Sequence, residues 1–264
     1  MAMANNYLGR ADAPLQPETW ELLDKTMIEV AKTHLSGRKI LPYEGPFGLG
    51  LKFVPLSTEA KEGVAISQAI PLVEIQKTFR LIKSDLAAYE RDGVTLNTAP
   101  LIQASLECAK LEDQIIFQGW SGIPGLLTVS GNQKAKLSSW EEVGDAAQDI
   151  IKAVTLLDEA GFPGPYALAL APQRYNLLFR RYSQGNQTEL DHLKSIIGAS
   201  IVKAPFLKKG GVLLASGIIY ASLIVGQDMT IGFIGPDEEG LVFSVSETLV
   251  PLIRQPRSIC QLEE

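Results

Sequence analysis

Histidine and cysteine are nearly missing from this chain, with two of each in 264 residues. His34 and His192 have no partners at metal-binding spacing, so a histidine-built metal centre is not expected. Cys108 and Cys260 lie far apart and outside any C-x-x-C pattern, which excludes a disulfide framework and fits a reducing, cytoplasmic setting. Positive charge is also short: 24 Lys and Arg against 30 Asp and Glu, for a formal net charge of -6. A sequence-independent grip on nucleic acid needs a basic surface, so no nucleic-acid partner is expected. Met1 to Arg10 lacks a charged stretch followed by an apolar run, and no secretory signal is expected there. One uncharged run, Gly210–Gln227, has nearly the length of a membrane span. Its four glycines and the Ser216-Gly217 break make it two short buried strands around a turn instead.

The motifs of common chemistries are absent too. There is no G-x-x-x-x-G-K-[ST] phosphate loop, and Gly119-Trp120-Ser121-Gly122 misses the spacing of a nucleophile elbow. Gly45 to Gly50 is glycine-rich but precedes a strand, which does not suit a dinucleotide. The acidic pairs Glu112-Asp113, Glu141-Glu142 and Glu238-Glu239 read as solvated surface. No catalytic residue, metal or cofactor is predicted.

What is present is an α+β alternation of long helices and irregularly spaced strands. Pro17 opens a first helix and Gly37 closes it, with Trp20, Leu23, Met27, Val30 and Leu35 at helical spacing. Leu51–Leu56 and Val64–Leu81 read as two extended stretches around a polar turn, and Pro71 argues against a central strand. Together they suggest a long two-stranded arm that needs a neighbour to pack against. Asn97 or Thr98 caps a long helix whose apolar stripe is Leu101, Ala104, Cys108, Leu111 and Ile115. Ser139-Trp140-Glu141-Glu142 reads as a capping box opening the next helix, which Gly161 stops. A strand over Tyr166–Leu170, helices from Pro172 and over Leu190–Ile197, and mostly strands after Ile201 complete the chain.

Several segments, in order, resemble the encapsulins, the shell proteins of bacterial and archaeal compartments. They are Leu35-Ser-Gly-Arg-Lys-Ile40 with Glu44-Gly-Pro-Phe-Gly48, Pro71-Leu-Val-Glu-Ile75 with Thr78-Phe79, and Leu111-Glu-Asp-Gln-Ile-Ile-Phe-Gln-Gly119. Further on come Gly122-Ile-Pro-Gly-Leu-Leu127, Gly164-Pro-Tyr166, Val225-Gly-Gln-Asp-Met-Thr-Ile-Gly-Phe233 and Ser246-Glu-Thr-Leu249. The resemblance is to the one-domain, linocin-like shells of family 1. It implies the HK97-type fold of tailed-phage capsids, with a peripheral domain, an extended loop and an axial domain. Residues 1–46 would hold the N-terminal helix and part of the peripheral domain, and 47–81 the arm. Residues 82–131 would carry the spine helix, 132–221 the axial domain, and 222–264 the last strands of the peripheral domain.

The resemblance also implies partners: further copies of the same chain, expected as about 60 in an icosahedral shell. It adds a cargo enzyme with a short targeting tail, such as a ferritin-like protein or a dye-decolourising peroxidase. An iron-storage or oxidative-stress role would follow. The tail would lie in an apolar groove of Val30, Ala31, Leu35, Arg38, Ile40, Met229, Ile231 and Phe233, the last three sharing one strand face. A pore loop would comprise Ser183, Gln184, Gly185, Asn186, Gln187, Thr188 and Glu189, with a ring of Glu189 attracting cations such as iron. The chain departs from the family in having Pro42 where an acid often follows the Arg-Lys pair, and a shorter arm. Near Ser84 it lacks the tryptophan on which some relatives stack a flavin, and no flavin is predicted. A phage major capsid protein and a hydrolase or protease are the rival readings. The acidic charge and the missing nucleophile motifs weigh against them.

Overall fold

The computed structural model describes residues 7–61, 63–183 and 185–264. Met1–Asn6, Glu62 and Gln184 lie outside them. Among the described residues six α-helices are formed: α1 (Pro17–His34), α2 (Lys83–Asp92), α3 (Ala99–Gln118), α4 (Asp145–Glu159), α5 (Pro172–Leu177) and α6 (Glu189–Ile197). The strands are β1 (Tyr43–Glu44), β2 (Phe53–Lys61), β3 (Val64–Pro71), β4 (Val73–Ile82), β5 (Gly119–Trp120), β6 (Ile123–Pro124) and β7 (Gln133–Lys136). Then come β8 (Tyr166–Leu170), β9 (Gly198–Lys203), β10 (Gly211–Ala215), β11 (Ala221–Val225), β12 (Thr230–Pro236), β13 (Gly240–Ile253) and β14 (Ile259–Glu263). The chain divides into two compact units. One comprises Met1–Leu35, Gly45–Glu112 and Ile224–Val250; the other comprises Ser36–Glu44, Asp113–Leu223 and Pro251–Glu264.

The first unit is organised on β13, which pairs antiparallel with β4 on one side and β12 on the other. Phe243, near the start of the strand, is fully buried. Phe79 stacks on it at 5.3 Å, Phe233 tilts against it at 5.4 Å and Trp20 meets it edge-on at 5.8 Å. Helix α1 adds Leu23, Met27 and Ala31 from one stripe, at roughly 2 kcal/mol for each large apolar side chain buried. The N-terminal stretch of α3 adds Leu101, Ala104 and Cys108 from the stripe read in the sequence, with Asn97 Oδ1 accepting from Ala99 N as the cap.

One expectation changes here. The stretch Val64–Leu81 is two strands, not one. β3 pairs with β2 as a hairpin, and β4 leaves it after Leu72 to join β13. Pro71, which cannot donate to a ladder, closes β3. The two-stranded hairpin is therefore shorter than the pattern of hydrophobics suggested. Helix α2, unread in the sequence, follows β4 and ends on Gly93 in the left-handed region.

The second unit holds a five-stranded sheet in the order β7-β14-β10-β8-β9. Every residue of β8 and β10 is buried. Helices α4 and α6 cover the sheet through Ile150, Leu157, Leu193 and Ile197. Gly210–Gln227 forms two short strands around a turn, as the glycines indicate. Among the described residues no helix is long and apolar enough to cross a membrane.

Helix α4 begins at Asp145, later than the capping-box pattern at Ser139 predicts. Trp140 is the reason. Its backbone has φ 58° and its ring is 1% exposed, so residues 139–142 wrap inward rather than winding. Asp149, 3% exposed, gathers this segment: its Oδ2 accepts from Ser138 N (2.7 Å), Ser138 Oγ (2.7 Å) and Trp140 Nε1 (3.0 Å). Burial pushes the Asp149 pKa up, but these donors and Lys152 outweigh it and hold the carboxyl at about 2. The folded-state pKa is thus depressed, so the stabilisation is complete above the usual aspartate range and fades as pH falls toward 2. Asp149→Asn is expected to cost about 2 kcal/mol at pH 7 and to flatten the loss of stability between pH 4 and pH 2, measured by denaturant melts of both proteins.

Candidate functional site

Two regions carry the residues singled out in the sequence, one in each unit. In the second unit the segment Ser183–Glu189 connects α5 to α6. Its base is tied by an antiparallel bridge between Arg181 and Thr188, by Tyr182 N donating to Gln187 O (3.1 Å) and by Glu189 N donating to Arg180 O (3.0 Å). Thr188 caps α6 in a reciprocal box with Asp191. The tip residues Ser183, Gly185, Asn186 and Gln187 are exposed. Gln184 is outside the described residues.

Glu189 does not offer its charge to solvent. It is fully buried, pairs with Arg180 at 3.0 Å and accepts from Gly144 N at 2.7 Å. Arg180 in turn donates to the carbonyls of Trp140, Glu141 and Glu142. The expected cation-attracting ring of Glu189 is therefore corrected: a buried carboxylate must be paired and hydrogen-bonded, and this one is consumed inside the subunit. The loop exposes hydroxyl and amide groups instead. Beside it, Tyr182 Oη and His192 Nδ1 are 2.8 Å apart with their rings edge-to-face. Burial, and then the Glu189 charge, push the Tyr182 pKa up, so the phenol stays protonated. Sequence reading missed both pairs because they join positions nine and ten residues apart across a turn, where no short-range period applies.

In the first unit α1 packs against β12. Val30 and Ala31 lie on α1 and Leu35 caps its end, while Ile231 and Phe233 lie on β12 and Met229 just before it. Ile231 is fully buried and Ala31, Leu35 and Met229 nearly so, while Val30 and Phe233 keep part of their surface accessible. Arg38 and Ile40 belong to the second unit. Arg38 lies over the Tyr43 ring at 5.8 Å and Ile40 is buried.

Two hollows flank these elements. One, of about 550 Å³, is lined by Tyr7, Leu8, Pro46, Leu49, Met229 and Thr230. It opens where Gly48 N donates to Gly226 O, a close approach of backbones that a Cβ at Gly226 would block against Thr248 Oγ1. The other, of about 1030 Å³, runs along the outer side of α1 past Trp20, Asp24 and Ile28. The glycine-rich run Gly45–Gly50, read in the sequence only as unsuited to a dinucleotide, contributes Gly48 and Gly50 to the first.

The candidate chemistry is thin. Among the described residues no group of three His, Cys, Asp or Glu side chains could hold a metal ion. Burial pushes both thiols up to about 12, with the Glu247 charge adding to the effect at Cys108, so neither is a ready nucleophile. Glu112 and Asp113, read as solvated, are buried, and Asp113 accepts from Ser36 N, Ser36 Oγ and Gly37 N. Asp113 thus fastens backbone. Glu189→Ala is expected to destabilise the second unit by about 3 kcal/mol, and Glu189→Gln by less because it keeps an acceptor for Gly144 N, measured by thermal and denaturant unfolding.

Comparison with known proteins bears on the same elements. The family described as encapsulating protein for peroxidase matches residues 5–250. The type 1 encapsulin shell protein EncA of Myxococcus xanthus is 31% identical, over 98% of this chain and 96% of that protein. A diheme-cytochrome-encapsulin shell fusion protein of Kuenenia stuttgartiensis is 31% identical over 94% of this chain and 74% of its own length. In fold, the chain is similar to the virus-like particle from Pyrococcus furiosus, with a TM-score of 0.77, 24% identity and coverage of 93% of this chain and all of that one. The capsid of the myovirus XM1 shares the fold at a TM-score of 0.62 with 11% identity, covering 84% and 88%. Fold alone thus reaches phage capsids, whereas sequence likeness runs along nearly the full length to compartment walls: this chain has the HK97-type capsid fold and belongs to the encapsulin shell-protein family.

Proposed function

We propose that this chain is a non-catalytic wall subunit of which about 60 copies close into an icosahedral cytoplasmic compartment around a cargo enzyme. The observation that carries the reading is the 31% identity to an encapsulin shell protein along almost the whole of both chains. We assign the axial role to the unit built on the β7-β14-β10-β8-β9 sheet and the peripheral role to the unit built on β13, with the β2–β3 hairpin as the extended arm. The scarcity of metal and nucleophile groups supports a wall rather than an enzyme. A relative named as a fusion of shell and diheme cytochrome supports an association of such walls with redox proteins. Iron storage or oxidative-stress defence, served by a ferritin-like protein or a dye-decolourising peroxidase, is the corresponding proposal here.

The cargo tail is assigned to the surface of α1 and β12. Val30 and Phe233 are the accessible members of the set, with Ala31, Leu35, Met229 and Ile231 packed beneath them. The adjoining hollow beside Met229 has room for an apolar side chain of an extended peptide. Arg38 and Ile40 remain assigned by the resemblance. The polar tip at Ser183–Gln187 is the proposed pore rim, screening solutes by size and hydrogen bonding rather than by the Glu189 charge.

Expressed alone, the protein is expected to form uniform hollow spheres by electron microscopy, with a native mass of roughly 1.7 MDa for 60 chains of 28.7 kDa. Monomers or small oligomers across salt and pH would sink the shell reading. Val30→Glu is expected to leave shells intact while weakening capture of a cargo-tail peptide about tenfold or more, because a charge replaces buried apolar contact. Unchanged capture would move the tail site elsewhere.

A further inference from the structure

The turn between β10 and β11 places two isoleucines in water and holds them there. Ile218 is 47% exposed and Ile219 68%. The backbone around them is fastened on every side. Ser216 N donates to Pro165 O (2.8 Å), and Tyr220 N and Ala221 N both donate to Gly217 O. Arg254 Nη1 donates to Ile218 O and to Ser222 Oγ, both at 2.7 Å, while its Nη2 pairs with Glu44 at 2.9 Å. The backbone N–H groups of Arg254 and Gln255 both reach Tyr220 O, and the Tyr220 ring meets Phe162 edge-on at 5.4 Å. Burial pushes the Glu44 pKa up, yet the Ser222 and Arg254 hydrogen bonds outweigh it and keep the carboxyl below its ordinary range. A loose apolar turn would fold back onto its own domain. This one is clamped outward, and apolar surface that does not fold back is available for a contact with another protein.

Its place in the sheet says which contact. Ala215, the last residue of β10, sits opposite Tyr166, the first of β8. The segment Ser183–Glu189 lies beyond the other end of β8, after Leu170 and α5. The isoleucine turn and the polar loop thus project from opposite ends of one sheet. Copies that meet only around a single axis through the loop make a ring; closing a shell needs a second, different contact. We propose that the Ile218–Ile219 turn seats against a second copy of this chain at such a contact, away from the loop, and that this contact carries rings into closed shells. The proposal rests on the shell reading above.

Two variants test it. The double substitution Ile218→Ser, Ile219→Ser, expressed alone, is expected to cut the yield of closed shells at least tenfold against wild type and to leave rings or single chains of unchanged circular dichroism. Shells in wild-type yield, with the same resistance to dissociation by guanidinium, would overturn the proposal. Because both side chains are exposed in the single chain, folding should not change. Independently, Ile219→Cys introduces the one accessible thiol, since Cys108 and Cys260 are buried. That thiol is expected to react with maleimide at least tenfold more slowly in assembled shells than in dissociated chains. Equal rates would overturn the proposal whatever the serine variant does. If wild type itself forms no shells, the shell reading fails, and this contact with it.

Discussion

Buried carboxylates that accept backbone N–H groups hold the irregular parts of the second unit. Asp113 gathers the tight turn at Ser36 and Gly37, Asp149 the inward wrap at Ser138 to Trp140, and Glu189 the start of α4 at Gly144. Segments without helix or sheet leave donors that must still be satisfied away from water, and an ionised oxygen is the strongest acceptor available. Each acid is costly to bury and each is compensated by several donors, so losing one partner strands the rest. The rigid mounting of the polar loop follows from this, since Glu189 and Arg180 lock its base to the backbone of residues 140–144.

The same constraint bears on function. A chain with 30 acids invites a search for carboxylate catalysis or cation binding. The three acids withdrawn into the second unit spend their lone pairs on structure. What reaches the surface at the loop tip is Ser183, Gly185, Asn186 and Gln187. In the first unit the equivalent organising element is β13, with Phe243 enclosed by Trp20, Phe79 and Phe233. On α1 and β12, Val30 and Phe233 keep part of their surface accessible.

Local order in the chain determined much of this by itself. Helical periodicity and cap residues marked α1 from Pro17 and α3 from Ala99. Four glycines and a Ser-Gly break divided Gly210–Gln227 into strands, and ordered segments along the chain pointed to the encapsulin wall. These signals are short-range, arising from steric and hydrogen-bonding preferences within a few residues, so they survive without the fold. Tertiary structure alone decided the rest. It ended the β2–β3 hairpin at Pro71 by giving β4 to β13, and it delayed α4 because the Trp140 ring needed the core. It turned Glu112, Asp113 and Glu189 from apparent surface acids into interior ones, and it clamped Ile218 and Ile219 outward. Each of those outcomes depends on partners between nine and about 210 residues away, brought close only when the sheets close. Sequence spacing carries no record of such distances, because burial is a property of the assembled neighbours and not of the residue.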